Sequence, residues 1–492
     1  MKRNFCFSAG LLLCLAAATS CFADTVDLTE KMKPSLVYLE VSTSSYDLSQ
    51  PWKQTPIAKN GGYGCAVGPY EILTTAEVVA DATLIQVMRY GKNARLGATV
   101  KAVDYECNLC LLTLDKDAAD TPLIPLSFEK LYPKGKQLTT YWLSSGNHLT
   151  TARSTLDRAQ MKRSFVSFVN NLTFFVTNVS RPFGDGQICC YGENVIGIAG
   201  WGTDSESGII PSETISRFLT YCNKKSYVGF ATAGFVASTL LDPARRKYLN
   251  IPDNIEYGIY VSDVFTIGTG SSELKTGDVI LSIKGQKLNA YGRYEHPEYK
   301  RISFHHILSQ TPNGDIIPFE IVRDGKITTL DITARSIKSD NMLVPYYTYG
   351  KQPEFMVVGG YIFQKLNRDY LTMWGSNSGD KAPPHFYHYK RDFAFKPSKE
   401  RRDIVILSFV FPAEINLGYQ KISQLVVDSV NDTKVTSMKN FVNLVNETEN
   451  ESIKITFEMD SPTLIIPKYE LALANMQIAK SYGVTKMVHL DE

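Results

Sequence analysis

Short apolar runs separated by glycine turns fill residues 34–222, and this pattern constrains the fold more than any other feature of the sequence. The runs are rich in β-branched and aromatic residues and are too short for ordinary helices, so they indicate strands. Six of them predict one small closed barrel, at residues 35–42, 64–67, 72–75, 82–89, 98–103 and 109–114. Six more predict a second barrel, followed by a helix at 212–222, at residues 138–143, 150–156, 165–169, 174–177, 187–190 and 195–200.

The remaining residues predict two α+β units that share a plan, at 225–340 and 341–492, after a two-barrel unit at 24–224. In the first unit we expect a glycine-containing loop at its start, a helix at 302–308, and strands at 258–264, 274–285, 316–324 and 327–332. In the second we expect helices at 437–445 and 469–482 and strands at 357–363, 403–410, 425–431, 453–458 and 464–466. The polar, proline-containing stretch at 376–402 is interpreted as an exposed insertion. The predicted fold class is mainly β.

The first residues carry the three-part pattern of a secretory signal. Lys2 and Arg3 precede an apolar run at residues 5–18, and small residues lead to Ala23, after which cleavage is predicted. In an alternative interpretation the chain is a lipoprotein in which Cys21 carries the lipid. The apolar run is shorter than the roughly 20 residues that span a bilayer, so no transmembrane anchor is expected. The sequence therefore predicts an exported chain, periplasmic or secreted, that loses residues 1–23.

Charge and cysteine content exclude several classes of protein. The chain has 52 basic and 50 acidic residues and a net charge of +2, without a strongly basic region, so no nucleic-acid partner is predicted. Six of the nine cysteines follow the signal, and either buried free thiols or a disulfide would suit an exported chain. Cys107 and Cys110 have CxxC spacing without a second such pair, so neither a zinc site nor another cofactor is predicted.

Four segments carry a resemblance to a known family. They are residues 62–77, which end in T-T-A-E, residues 103–114, the I-I-P-S sequence at 209–212, and residues 275–285, which contain G-D-V-I-L. Together they resemble the HtrA/DegP family of exported trypsin-like serine proteases with PDZ domains, and the chain looks closest to the Deg-type branch with two such domains. The resemblance implies a trypsin-like double β-barrel followed by two PDZ-like α+β domains, and a homo-oligomer, in this family a trimer.

Serine hydrolysis needs a nucleophilic hydroxyl, an imidazole base, a carboxylate that orients the imidazole, and donors for the oxyanion. By the resemblance, Glu77 occupies the base position, and the orienting position holds Asn108, which cannot stabilise an imidazolium. The nucleophile position is Gly186 when the glycine motif is aligned from its start, and Asp185 when it is counted back from the following strand. Neither alignment gives a serine. Because no triad is intact, the sequence predicts a catalytically degenerate member, a pseudoprotease.

A histidine and two cysteines elsewhere in the barrels are candidates for a displaced catalytic base or nucleophile. His148 is the only histidine in residues 24–222, and it follows the orienting position in the chain instead of preceding it, so it is interpreted as an ordinary loop residue. Cys189 or Cys190 would be a displaced nucleophile, but no histidine lies where it would activate a thiol. Neither replacement is predicted.

Metal binding is the other alternative. Glu77, Asn108 and Asp185 would converge in the expected fold, and two carboxylates with an amide suit Ca²⁺, Mg²⁺ or an acid/base pair. The plainer interpretation is a relic pocket filled by polar side chains. His385 and His388 have a spacing that suits metal ligands on a helix, but they lie in the proline-led insertion. No metal site is predicted at either place.

The PDZ-like units offer a binding activity. A PDZ domain adds an extended C-terminal peptide to a sheet edge, and the backbone amides of a glycine-containing loop bind the peptide carboxylate. By the resemblance, the peptide-binding residues of the first unit belong to its loop and to the helix beside the groove, and they are Ala233, Gly234, Phe235, Ile302, His305 and His306. The corresponding loop of the second unit is at 359–361, where a role in assembly is the alternative.

These observations favour an exported HtrA-like protein without a catalytic triad, which binds polypeptides as a chaperone, adaptor or regulator of envelope protein quality control. In other serine proteases the loss of the triad lowers kcat by roughly 10⁶-fold. One alternative is an active serine-type endopeptidase or metal-assisted hydrolase with a rearranged site. A third is a structural scaffold of the envelope whose PDZ-like domains bind only partner subunits.

Overall fold

The structure is a computed structural model that describes residues 28–117, 121–163, 166–181, 183–224, 227–375, 381–459 and 461–491. The predicted signal segment, with Cys21 and Ala23, lies outside these residues. Strands predominate over helices, which confirms the predicted mainly β fold class. Within the described ranges, no helix has both the length and the apolar character needed to cross a membrane.

The first barrel is a closed sheet of six strands in the order β1-β2-β3-β6-β5-β4. A short helix, α1 (Leu28–Met32), precedes it, and its strands are β1 (Leu36–Thr43), β2 (Ala58–Gly68), β3 (Glu71–Thr74), β4 (Ala82–Arg89), β5 (Arg95–Asp104) and β6 (Leu109–Leu114). On β1 the alternate residues Val37, Leu39 and Val41 are completely buried. This alternation places one face of the strand against the barrel core, and the predicted barrel is confirmed.

The second barrel is also closed, in the order β10-β11-β12-β9-β8-β7. Its strands are β7 (Gln137–Leu143), β8 (Leu149–Arg163), β9 (Asn170–Asn178), β10 (Ile188–Tyr191), β11 (Asn194–Gly202) and β12 (Glu206–Pro211). Helix α2 (Ser212–Cys222) follows directly and occupies the predicted residues. The two barrels together form the predicted trypsin-like unit.

Two strand predictions in the second barrel are wrong. The described part of the predicted strand at 165–169 forms a bend, in which the Val169 amide donates to Ser167 Oγ (2.9 Å). One strand, β9, is therefore found in the segment where two strands were predicted. Strand β12 was not predicted, because only Ile209 and Ile210 in it are large apolar residues and a polar pair and a glycine precede them. Gly208 is needed there because a side chain at that position would collide with the ring of Trp201.

The middle domain has a six-stranded sheet in the order β13-β14-β15-β19-β20, with β16 paired to β15, and a separate hairpin of β17 and β18. Its strands are β13 (Phe235–Ser238), β14 (Ile259–Val264), β15 (Val279–Ile283), β16 (Gln286–Lys287), β17 (Arg293–His296), β18 (Lys300–Ser303), β19 (Ile316–Arg323) and β20 (Lys326–Thr333), and its helices are α3 (Pro243–Tyr248) and α4 (His305–Ser309). The predicted start of the second helix is wrong: Ile302 pairs with Tyr294 in the hairpin, so α4 begins at His305.

The C-terminal domain has an eight-stranded sheet in the order β27-β26-β24-β23-β22-β21-β28, with β25 paired to β24. Its strands are β21 (Phe355–Val358), β22 (Tyr361–Lys365), β23 (Val405–Val410), β24 (Leu425–Val430), β25 (Thr433–Lys434), β26 (Ser452–Phe457), β27 (Leu464–Pro467) and β28 (Val488–His489). Its helices are α5 (Arg368–Leu371), α6 (Pro384–His388), α7 (Met438–Asn446) and α8 (Lys468–Tyr482).

One predicted strand of the C-terminal domain is two strands. Gly359 and Gly360 have φ angles of +58° and +84° and form the turn of a hairpin between β21 and β22. Two consecutive positive φ values favour glycine, which explains the pair of glycines. The apolar run at 357–363 is therefore not continuous.

The predicted exposed insertion is a packed part of the structure. Residues 376–380 lie outside the described residues, but α6 follows them and continues into a π-helical turn, Tyr389–Phe393. Phe386 on α6 is completely buried beside Tyr370. Phe395 stacks on Phe265 of the middle domain (4.6 Å between ring centroids) and contacts Phe168 of the second barrel (5.6 Å). Aromatic residues inside a polar stretch therefore join three parts of the chain.

The loop between β1 and β2 joins the first barrel to the C-terminal domain. Trp52, at the tip of this loop, is 7% exposed and packs against Phe355 and Phe411, with 5.7 Å between ring centroids in both pairs. The Gln364 side chain donates to the Leu48 carbonyl (3.2 Å). A large aromatic side chain thus anchors the loop to the far end of the chain.

Glu213 on α2 joins the second barrel to the middle domain. Its carboxylate lies 3.0 Å from His306 Nε2 and accepts hydrogen bonds from Gln310 Nε2 (2.8 Å) and Tyr299 Oη (3.2 Å). Lys130 Nζ is 3.2 Å away. Burial alone would raise the pKa of Glu213, but the hydrogen bond and charge of His306, together with Lys130, hold it at about 2. The ionised carboxylate is therefore a fixed part of this interface.

We expect Glu213→Gln to weaken the folded chain at neutral pH. The pKa of Glu213 is about 2 in the folded chain, against an ordinary value of 4.5. Its ionised carboxylate therefore contributes stability that is present above pH 4.5 and is lost as the pH falls towards 2. The expected loss at neutral pH is about 1–3 kcal/mol, measured by urea unfolding, and it should shrink as the solution is acidified. The exposed Glu447→Gln is the control, and equal behaviour of the two variants would contradict the assignment.

Candidate functional site

Asn108 holds the backbone at the position expected for a catalytic base. Its Oδ1 accepts the backbone amide of Glu77 (3.0 Å), and its Nδ2 donates to the Gly200 carbonyl of the second barrel (3.5 Å). The residue is 2% exposed and has a φ of +55°, a conformation that asparagine tolerates well. The Asn108 side-chain amide therefore fixes the turn that starts at Glu77 and links the two barrels.

Hydrogen bonds within the protein hold the loop at the expected nucleophile position. The Gly184 amide donates to Oε1 of Gln187 (3.0 Å), and the Gly186 amide donates to the Ala199 carbonyl (2.8 Å). The Tyr63 amide donates to the Asp185 carbonyl (3.0 Å). An oxyanion hole needs backbone amides that are free to meet the developing charge. The amides of Gly184 and Gly186 already have acceptors within the protein.

Of the two alignments that the sequence left open, the local geometry favours Asp185. Gly186 is buried with a φ of +94°, and any side chain at that position would collide with the carbonyl oxygen of Tyr63. The Asp185 side chain is exposed, and its charge raises the pKa of Glu77. Position 185 is therefore the one whose side chain shares a space with Glu77.

The two carboxyl groups of this space are less acidic than usual. Burial raises the pKa of Glu77, and the negative charge of Asp185 raises it further. Burial also raises the pKa of Asp185. Both side chains reach solvent, yet the surrounding protein removes part of their hydration, which disfavours the charged forms. The pair can hold and release protons, but neither group is a serine-like nucleophile.

A group of tyrosines from the C-terminal domain flanks this space, and sequence analysis did not single it out. Tyr349 packs against Tyr105 (4.7 Å between ring centroids), and Tyr347 Oη donates to both carboxylate oxygens of Glu106 (2.7 Å). Burial raises the pKa of Tyr349 to about 12, with smaller contributions from nearby carboxylates that include Glu77. The signal in the sequence was the tyrosine-rich segment at 346–349 just after the middle domain.

The arrangement does not assemble the proposed metal ligands. The oxygen of Asn108 is committed to the Glu77 backbone, which leaves only the two carboxylates facing the shared space. The described residues contain no group of three or more His, Cys, Asp or Glu side chains that would hold a metal ion. His385 Nε2 lies 2.8 Å from the Gln424 carbonyl, whereas His388 Nδ1 lies 2.7 Å from Asp392. Those two histidines have separate partners.

The displaced catalytic groups are also placed apart from this space. His148 is exposed in the turn between β7 and β8. Cys189 and Cys190 are buried on β10, where burial raises the pKa of Cys189 to about 12 and that of Cys190 still higher. A thiol with such a pKa is not ionised at neutral pH and is a poor nucleophile. All six described cysteines are free thiols.

The loop predicted to bind a carboxylate in the middle domain is buried. The Gly234 amide donates to the Thr269 carbonyl (2.8 Å), so it already has an acceptor. Ala233, Gly234 and Phe235 are all buried, and the ring of Phe235 stacks on Phe304 (5.6 Å). Strand β13, which starts at Phe235, pairs only with β14 among the described strands. Its outer edge is the place where a peptide strand would be added.

The three residues predicted beside the peptide groove have different surroundings. Ile302 is 2% exposed in β18. His305 is half-buried, its Nδ1 lies 2.9 Å from Ser303 Oγ, and burial lowers its pKa to about 4. His306 is buried against the second barrel, with Nδ1 2.6 Å from Tyr294 Oη and Nε2 at Glu213. The structure therefore brings His306 to a domain interface and not to a groove.

In the C-terminal domain, side chains of the same domain already hydrogen-bond to the corresponding loop. The Gly359 amide donates to Oδ1 of Asn475 on α8 (2.9 Å), and Asn416 Nδ2 donates to the Gly359 carbonyl (2.8 Å). Strand β22 pairs with β23 on one side and with β21 on the other. No edge of β22 is therefore open to a peptide.

Comparison with known proteins agrees with this architecture. The family model described as a PDZ domain matches residues 344–489, which is most of the C-terminal domain. "Putative protease Do-like 3, mitochondrial" of Arabidopsis thaliana is 25% identical over 465 residues, covering 93% of this chain and 80% of that protein. "Protease Do-like 4, mitochondrial" of the same organism is 23% identical over 422 residues, covering 85% and 77%. These matches support the HtrA/Do-like protease family, with a PDZ domain.

A solved structure of an HtrA-type protease, AlgW in a substituted form with a decapeptide, is similar in fold to part of this chain. The TM-score is 0.50 and the sequence identity 17%, and the match covers 63% of this chain and 97% of the other. At this identity the likeness concerns the fold alone. It agrees with the two closed barrels, and the chemistry at Glu77 and Asp185 must be argued from this chain's own residues.

We expect Gly186→Ser, which places a hydroxyl in the HtrA/Do-like glycine motif, to destabilise the chain without producing a nucleophile. The new side chain meets the Tyr63 carbonyl, and its backbone must adopt a positive φ. The expected loss in urea unfolding is roughly 2 kcal/mol or more. Gly277→Ser is the matched control, because Gly277 has a φ of +104° but no atom within 4 Å of an added Cβ. A loss as large in the control would show that the collision is unimportant.

Proposed function

We propose that this chain is an exported HtrA/Do-like protease homologue that does not hydrolyse peptide bonds and instead binds polypeptides, as a chaperone, adaptor or regulator of protein quality control. The observation that carries the proposal is the set of residues at the expected triad positions, Glu77, Asn108 and either Asp185 or Gly186, which includes no serine and no histidine. Serine hydrolysis needs both a nucleophile and a base, and in other serine proteases the loss of the triad lowers kcat by roughly 10⁶-fold.

Polypeptide binding is assigned to the middle domain, which we propose is a second PDZ-like domain. Strand β13 keeps an outer edge without a described partner, and Val236 on it is 43% exposed. A peptide added to this edge would extend the sheet by main-chain hydrogen bonds. In the C-terminal domain both edges of β22 are paired and the loop amide of Gly359 is bound to Asn475. That domain is better suited to holding the structure together.

A second candidate function is acid/base hydrolysis by the paired carboxyls. Glu77 and Asp185 share a space, and both have raised pKa values, which is the condition that lets one carboxyl be protonated while the other is ionised. Such an enzyme would be most active in mildly acidic solution and would lose activity with either Glu77→Gln or Asp185→Asn. The family resemblance favours a homo-oligomer, a trimer, in both cases.

We expect the purified mature chain to leave casein intact and to remain unlabelled by a serine-directed fluorophosphonate, because its expected triad positions hold neither a serine nor a histidine. The assay should span acidic to alkaline pH, which also tests the paired carboxyls. If casein is cleaved in acid and Asp185→Asn abolishes that cleavage, the result supports acid/base hydrolysis, the second candidate function. Turnover or labelling at neutral pH that is lost with Asp185→Ala or Glu77→Ala would overturn the proposal.

We expect a hydrophobic peptide with a free C-terminal carboxylate to bind the full mature chain, and Val236→Glu to weaken that binding by about tenfold. The added charge lies on the β13 edge and repels the peptide carboxylate. Val179→Glu, at another exposed valine, is the control. Binding measured by fluorescence anisotropy that is equal in both variants would exclude the β13 edge as the binding site.

A further inference from the structure

Two neighbouring cavities lie between the second barrel and the middle domain. One, of about 540 Å³, is lined by the segment that leads into β7 and by the turn of the β17–β18 hairpin. The other, of about 590 Å³, is lined by β8 and by the same hairpin. Tyr299 and Lys300 line both cavities. We call the two cavities together the basic groove.

Positive charge is concentrated in the basic groove. Four of its cations, Lys134, Lys136, Arg293 and Lys300, are exposed and have no acidic side chain within ion-pair distance among the described residues. Among the described residues that line the two cavities, Glu298 is the only acidic one. The whole chain is nearly neutral, at +2, so this local excess is not a consequence of overall composition. Unpaired cations in a concave surface attract anionic partners strongly, because the low-dielectric walls of the protein concentrate the electric field of the cations.

The groove also offers an unpaired strand edge. The β17–β18 hairpin is a two-stranded sheet of its own, so among the described strands β18 (Lys300–Ser303) pairs only with β17, and it also lies close to β8 of the second barrel. Lys300 has a φ of +60° at the start of this strand, which fixes the hairpin turn beside the shared wall of the two cavities. A strand edge presents backbone donors and acceptors that a second polypeptide can pair with.

Apolar surface completes the groove. Tyr291 is 63% exposed and lines the β8 cavity, and Leu131 is 39% exposed and lines the other. Cations, a free strand edge and scattered apolar side chains match an extended polypeptide that carries carboxylates. A nucleic acid or a lipid headgroup would use the cations but has no backbone to pair with β18.

We propose that the basic groove binds acidic, extended segments of client polypeptides, independently of a C-terminal carboxylate. This inference rests on the proposed function, since it concerns how a polypeptide-binding chain selects its clients. It adds a surface formed jointly by the second barrel and the middle domain, whose lining residues do not include Val236 of the β13 edge. The interface that Glu213 makes with Tyr299 holds the two walls of the groove in place.

The test uses the full mature chain and two fluorescent peptides in anisotropy titrations. One is rich in glutamate and valine and has an amidated C-terminus, so it cannot use a carboxylate-binding loop. The other is hydrophobic with a free C-terminal carboxylate, and it reports on the β13 edge. A glutamine version of the acidic peptide controls for length and composition. Raising the salt concentration should weaken only the acidic peptide, because screening acts on the charges.

The decisive variant is the triple substitution Lys134→Glu, Lys136→Glu and Arg293→Glu. It should weaken the acidic peptide by about tenfold or more and leave the free-carboxylate peptide unchanged. Its matched control is Lys275→Glu, Lys326→Glu and Lys439→Glu, which changes three exposed lysines elsewhere by the same charge. Thermal unfolding of both variants checks that they fold.

The outcomes separate the inference from the function on which it rests. Loss of the acidic peptide in the groove variant alone supports the basic groove. Unchanged binding of the acidic peptide, or an equal loss in both triple variants, overturns it. A single-stranded oligonucleotide of equal charge that binds more tightly than the peptide also overturns it, in favour of a nucleic-acid site. Failure of the free-carboxylate peptide to bind the wild-type chain would instead overturn the proposed function.

Discussion

The side-chain amide of Asn108 is the contact on which the centre of this protein depends. It holds the backbone of Glu77 in the first barrel and reaches the Gly200 carbonyl in the second. A buried amide that satisfies backbone groups on two barrels contributes to the stability of the junction between them.

The domains that follow the barrels are fastened by contacts of different kinds. The middle domain is held by a buried charge at Glu213, and the C-terminal domain by aromatic packing around Trp52 and Tyr349. Acid weakens a charged contact by protonating the carboxylate, whereas the stability of aromatic packing depends mainly on the apolar area that is buried. Acid should therefore weaken the attachment of the middle domain more than that of the C-terminal domain. The middle domain has the open edge of β13 and supplies one wall of the basic groove.

Much of the fold could be predicted from the sequence, because alternating burial on short strands leaves a clear pattern. The two barrels and helices α2 and α8 lie where the pattern placed them. The errors arose where one glycine or one aromatic residue had a tertiary role. Gly208 makes room for Trp201, and Phe386 and Phe395 bury themselves inside a polar stretch. The residues at the expected triad positions could be named from the sequence, but the hydrogen bonds that hold the loop at 184–187 depend on contacts between distant segments.

The crowding at Gly186 has a consequence for which side chains this loop can carry. An added Cβ at position 186 would collide with the Tyr63 carbonyl oxygen, and the backbone there has a φ of +94°. Both conditions favour glycine. The neighbouring Asp185 side chain is exposed, so chemical variation in this loop is open at position 185 and closed at position 186.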